Sequence, residues 1–484
     1  MSFDSLDYIL FFIPLAALLY MAIKKISIQA GKVFIIAYSV VFYAYMFAGN
    51  LTILITSCLF NYTFYLFIAR EKYKKTITII SICFNVIVLA YFKYILFFVE
   101  YTKFEGMQWM TTLSLPLALS FVTFQQISFV VDAYRKKITS ISVIDYLYYI
   151  TFFPKLIAGP ITRYNELMYQ EGLTRPAKSS EIISGLVILS IGLFKKVVMA
   201  SHFSMIADLG FLNTSDINTI DAWITSFAYT MQIYFDFAGY SDLAIGSALL
   251  LGIKLPINFN SPYRSLTIHE FWNRWHISLS TWLRDYVYIP MGGNKANELR
   301  VYFNILATFL ISGIWHGTGI NFILWGALHG IATCVCKSWQ KLEYKMPKFI
   351  AWIVTFCFIN ISWIPFRAES FSDTKNMLYA MVGVNGAGDY TSSILNVSLN
   401  FESFNLIMNK LSIIIPNSMV ANITLAIAML SIYFRNSNEM ASYNRQSTVY
   451  IHTRNIIISG IALSVSLIAM FGGVVKSQFI YSSF

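Results

Sequence analysis

Four of the six histidines in this chain, His269, His276, His316 and His329, fall between residues 269 and 329. The first two belong to HEFWNRWHISLSTWLRDYVYIP, residues 269–290, which also carries Glu270, Arg274, Arg284 and Asp285, although only 12% of the chain is charged. All four histidines lie in or beside apolar runs, where an ionisable side chain is costly and marks a functional site by default. Taken singly, each could be a core imidazole satisfied by a nearby carbonyl or carboxylate; their clustering points to chemistry. A metal centre fits poorly. On one helix His269 and His276 would stand about 10.5 Å apart along the axis, too far to share an ion. No H-E-x-x-H spacing occurs in the stretch, and Cys334 with Cys336 makes only a lone C-x-C. No metal is expected. Proton transfer fits better, because an imidazole can take a hydroxyl proton near neutral pH. His316 stands in SGIWHGTG, where the glycines permit close approach of backbone or substrate and Trp315 supplies an apolar wall. An acyl-transfer tunnel buried in lipid would need these features.

Two further concentrations of polar residues interrupt apolar sequence. YFDFAGYSDLAIG, residues 234–246, holds Asp236 and Asp242. Buried carboxylates need partners, and Arg264, Arg274 and Arg284 are the nearest basic candidates along the chain. These aspartates read first as organisers of structure. In residues 269–290, Trp272, Trp275, Trp282, Tyr286 and Tyr288 alternate with the charges, the composition of an interfacial or re-entrant helix. Its arginines and tryptophans either hold an anionic, nucleotide-bearing acyl donor at a cytoplasmic entrance or anchor the segment among lipid headgroups.

The elements that must position these residues are membrane helices. Of 484 residues, 57% are hydrophobic and 17% aromatic, and the mean hydropathy of +0.60 lies far outside the soluble range. Apolar runs near 8–23, 33–49, 51–69, 76–99 and 113–131 are each long enough to cross a hydrocarbon core of roughly 30 Å. Others lie near 182–200, 222–252, 301–318 with a return at 320–336, 349–365, 419–434 and 456–473. The class is an all-α polytopic membrane protein with about 11 transmembrane helices plus re-entrant segments, read as one membrane-embedded domain over residues 1–484. Residues 145–180 are irregular, since FFPKLIAGPITRY carries two prolines and a glycine, and such backbone is tolerated at membrane depth only when protein encloses it. The net charge of +11 is spread over short clusters between spans, which speaks for topology and against nucleic acid. REKYKK, DAYRKK and residues 253–300 are cytoplasmic by the positive-inside rule, with the N- and C-termini outside. The acidic opening MSFDSLDY and the lack of a cleavage site predict that the first span is retained. The five cysteines all lie in or beside apolar segments and read as packing thiols.

The motifs FFPKLIAGPITRY, YFDFAGYSDLAIG, NFNSPYRSLTIHEFWNRWHISLSTWLRDYVYIPMGGNK, SGIWHGTGINFILWGALHG and the terminal FIYSSF resemble, in order and spacing, the membrane-bound O-acyltransferase (MBOAT) family. The likeness is to its branch containing the alginate O-acetylation membrane protein, and it is strongest over residues 145–330. The resemblance implies a helical funnel, thinned at its centre, through which an acyl group passes from a cytoplasmic donor to an external acceptor. It places the family's catalytic histidine on His316 and its other conserved histidine on His276. It gives His329 a branch-specific position and Arg274, Trp275, Arg284, Asp285 and Asp242 supporting ones; Trp315 and His269 are added from their neighbourhoods. A neighbouring branch, the D-alanyl transfer protein of teichoic acid modification, shares FDFAGYS and FWNRWH.

On this reading the chain is an O-acetyltransferase of the bacterial cytoplasmic membrane. Acetyl-CoA or another acyl-CoA donor is its substrate, and there is no permanently bound cofactor. It works with an exported SGNH-hydrolase-like acetyltransferase and a polysaccharide synthesis or export complex. Alginate, peptidoglycan and other glycans are all candidate acceptors. A transporter relaying protons through the same residues, or an inactive scaffold of a secretion complex, is the rival of another class.

Overall fold

The computed structural model describes residues 2–102, 118–342, 344–388, 435–442, 451–472 and 479–480. Their regular structure is helical throughout, and eight helices among the described residues are long and apolar enough to cross a membrane. The apolar run at 419–434 lies outside the described residues. The chain divides into two compact units.

The first unit comprises Met1–Leu189, Ser241–Ile257 and Arg445–Ile451. Its long helices, Ile13–Ile26, Ile28–Phe47, Leu51–Ala69, Lys74–Thr102 and Leu119–Tyr134, follow the apolar runs of the sequence. Between lipid-soluble helices there is no hydrophobic drive to associate, so polar contacts and close packing set the pairing. Asn61 and Asn85 exchange side-chain hydrogen bonds of 3.1 and 2.7 Å, and Ser81 donates to Asn61 Oδ1 at 3.2 Å. The irregular segment resolves into short helices, Val143–Thr151, Phe153–Leu156 and Tyr164–Met168. Residues 148–162 are buried without interruption, so protein encloses this backbone as the physics requires. Inside it the Lys155 ammonium donates to Gln125 Oε1 and lies 4.5 Å from the centre of the Tyr149 ring. Asp242, 4% exposed, belongs to this unit.

The second unit comprises Ser190–Tyr240, Asn258–Asn444 and His452–Phe484, and it contains all four clustered histidines. The apolar run at 222–252 is a single helix, Thr219–Leu250, of 32 residues, about 48 Å long. Its stretch within this unit is buried throughout from residue 228 to residue 240, as expected of a helix apolar all round that serves as core. Asp236 on this helix finds its cation in Lys196. The pairing with Arg264, Arg274 or Arg284 anticipated from chain proximity is replaced by one with the preceding membrane segment, because burial favours a partner that is itself buried. Asp236 Oδ2 also accepts the Ile480 backbone N–H at 3.0 Å.

Residues 269–290 are not the one helix that their composition suggested. Thr267 caps Ile268–Trp272 by accepting the Glu270 N–H at 3.1 Å. The chain then turns at His276, in the left-handed region at φ +42°, and a new helix, Ile277–Leu283, begins. Asn258 holds that start: its carbonyl accepts the Ile277 N–H and its side-chain oxygen the Ser278 hydroxyl, at 3.0 and 2.9 Å. The axial spacing of about 10.5 Å for an unbroken helix therefore does not apply to His269 and His276.

Glu298–His316 and Ile320–Lys341 form a helical hairpin. Asn297 caps the first by accepting the Arg300 N–H at 2.9 Å. The two helices approach through glycine: a Cβ at Gly313 would lie 2.3 Å from the Phe322 carbonyl oxygen, and one at Gly326 would lie 2.6 Å from that of Phe309. Lys348–Arg367 follows, then Phe371–Met381 and, later, Thr453–Phe471.

Candidate active site

His316 is the last residue of its helix. Its imidazole is 4% exposed and is bounded by Trp315, Trp325 and Phe366, with ring centres 4.6, 5.0 and 5.3 Å away. His329, on the second arm of the hairpin, is completely buried. Trp325 lies 4.9 Å and Trp272 5.1 Å from its ring, and Ser362 Oγ is 3.0 Å from its Nε2. The Trp325 indole thus rests against both imidazoles.

His276 is also buried, with Phe237 edge-on at 4.7 Å. Its neighbour Trp275 is core, packed on Phe259 and Trp363 at 5.0 Å each. Trp363 in turn stacks on Trp325 at 6.0 Å. A continuous layer of rings therefore runs from the backbone of His276 to the two hairpin histidines. The Trp315 ring lies against His316, 4.6 Å between centres.

The charged residues of the motif separate. Arg274 reaches Glu270 one turn back, at 3.0 Å, and the Asn260 carbonyl at 3.1 Å, so it ties the turn before His276 to the preceding loop. Arg284 contacts Asp285 at 2.7 Å. Arg284 also lines a cavity of about 460 Å³, with His269, Trp272, Phe309, Ser312 and Lys337 among its other walls. Ser312 stands one helical turn before His316. Trp272 and Phe309 are at once cavity wall and neighbours of His329, at 5.1 and 6.3 Å. The cavity thus carries basic residues on some walls and reaches the aromatic layer around the histidines.

Sequence reasoning did not single out Trp325, Phe366, Ser362 or Lys337. Trp325 had a usable signal, since it precedes His329 by four residues and so shares its helix face. Phe366 and Ser362 come from the helix Lys348–Arg367 and meet the histidines only through tertiary packing.

Comparison with known proteins bears directly on this arrangement. A family model described as MBOAT, membrane-bound O-acyltransferase family, matches residues 40–368. The peptidoglycan O-acetyltransferase of Helicobacter pylori is 36% identical, covering 100% of this chain and 97% of the relative. A probable alginate O-acetylase AlgI of Pseudomonas aeruginosa is 36% identical over 79% of this chain and 75% of the relative. The teichoic acid D-alanyltransferase of Bacillus subtilis is 29% identical over 53% of this chain and 69% of the relative. The matched region contains the histidine hairpin, the broken 269–290 segment and the cavity that reaches them, and the chain accordingly belongs to the membrane-bound O-acyltransferase family, as a polytopic membrane acyltransferase.

Proposed function

We propose that this acyltransferase takes acetyl from cytoplasmic acetyl-CoA and delivers it across the bacterial cytoplasmic membrane for O-acetylation of an extracytoplasmic polysaccharide. The observation that carries the proposal is the cavity itself. Arg284, Lys337 and His269 can meet the anionic nucleotide end of a donor, while Trp272, Phe309 and Ser312 lead toward His329 and His316. His316 activates the attacking hydroxyl or transiently holds the acyl group, and His276 orients the donor or shares the proton. An exported SGNH-hydrolase-like protein completes transfer to the polymer, so the membrane protein is one half of a relay, with both its termini outside.

Peptidoglycan is the polymer to test first, because the relative named for it matches over 100% of this chain and 97% of its own length. The test is the O-acetyl content of the producing cell's peptidoglycan and exopolysaccharide, read by NMR. Wild type, a deletion strain and His316→Ala at normal expression are compared. Acetyl is expected to vanish in the deletion and to fall by about 10²-fold or more in His316→Ala, with polymer yield unchanged. Full acetylation in His316→Ala would remove the catalytic role of that histidine and bring back the transporter or scaffold.

A further inference from the structure

The hydrogen bonds around His329 determine which of its nitrogens carries the proton. Ser362 Oγ donates its single proton to the Ile359 carbonyl at 2.8 Å and stands 3.0 Å from His329 Nε2. A hydroxyl whose proton is already engaged can only accept from the ring, so Nε2 bears the hydrogen and Nδ1 the lone pair. His329 is 0% exposed, and among the described residues its Nδ1 has no hydrogen-bond partner. The same holds for the indole N–H groups of Trp272 and Trp325. These three rings are mutual neighbours: Trp325 and Trp272 lie 4.9 and 5.1 Å from His329, and 5.8 Å from each other. Buried indole N–H groups usually find an acceptor. One acceptor and two donors gathered in a single ring cluster therefore call for an explanation. Trp272 also lines the cavity, so the cluster borders the space given above to the donor.

The donor and acceptor inventory selects the guest. A carbonyl or thioester accepts but has nothing to donate to Nδ1, and an ammonium donates but cannot accept from the indoles. A hydroxyl does both, with one O–H for Nδ1 and two lone pairs for the indole N–H groups. We infer that His329, Trp272 and Trp325 form a recognition site for an alcohol hydroxyl of the acyl acceptor, with Ser362 as the positioning residue that fixes the His329 tautomer. This inference rests on the acyl-transfer reading above. It gives His329 a role distinct from that of His316, whose ring centre lies 5.0 Å from that of Trp325.

The experiment uses membranes containing the full chain, radiolabelled acetyl-CoA and, as the acceptor that this chain meets in the relay, the purified exported SGNH-hydrolase-like protein. His329→Gln keeps a nitrogen near Ser362 but lacks Nδ1, while Trp325→Phe and Trp272→Phe keep a ring but lack the N–H. Each is expected to raise the acceptor KM by about 10-fold, the effect of one lost hydrogen bond, while the donor KM stays within about 2-fold. Ser362→Ala should raise the acceptor KM less, and Ser362→Thr should restore it. Three separate replacements keep the test open if one variant fails to fold. An unchanged acceptor KM in the folded variants would mean that the cluster holds only water, and a raised donor KM would assign it to the donor; either overturns the inference while acyl transfer stands. If the deletion removes acetyl from no polymer, the acyl-transfer reading itself falls.

Discussion

At the residue scale, the second unit holds an ion pair buried where the protein excludes water. Lys196 and Asp236 are 2% and 0% exposed, and the carboxylate also holds the backbone of Ile480. Removing one member of such a pair leaves a desolvated charge, which typically costs about 3–5 kcal/mol. Lys196→Met is therefore expected to lower the thermal midpoint of the purified protein in detergent steeply. The double replacement Lys196→Met with Asp236→Leu should recover most of that loss. It should fall short of wild type by about 1–3 kcal/mol, because the Ile480 N–H loses its acceptor. A double variant no more stable than Lys196→Met would show that the pair is not the source of the effect.

At the scale of elements, the histidine hairpin is set by its glycines. At Gly313 and Gly326 the backbone of the facing helix occupies the space that a side chain would need. Gly313→Ala must push the arms apart, at a cost of about 1–3 kcal/mol for an overpacked contact, and must shift Trp325 and Phe366 relative to His316. Gly460, on the helix Thr453–Phe471, has nothing within 4 Å of an added Cβ. Alanine there should be neutral or should stabilise by up to about 1 kcal/mol through helix propensity. Acetyl transfer and thermal midpoint measured on both variants check the contrast; equal behaviour would mean that the close approach does not govern the site.

At the scale of the whole molecule, the charge pattern predicts orientation. Lys72, in the basic REKYKK connection, is exposed, as is Ser215, in the acidic loop before the helix Thr219–Leu250. In a background without other reactive thiols, Lys72→Cys should react with an impermeant maleimide only from the cytoplasmic side. Ser215→Cys should react only from outside. Labelling of both from one side would overturn the topology.

Much of this was legible in the sequence because it depends on local composition. Apolar runs of bilayer length can only be helices, since lipid offers backbone groups no other partner. The histidine cluster and the ordered motifs around His276 and His316 pointed to the family. Tertiary structure decided the rest. The cation that meets Asp236, the turn that breaks residues 269–290 at His276, and the contact of Trp325 with two imidazoles all depend on packing between segments apart in the chain. Composition reports which side chains must leave water; only the fold decides which of them meet there.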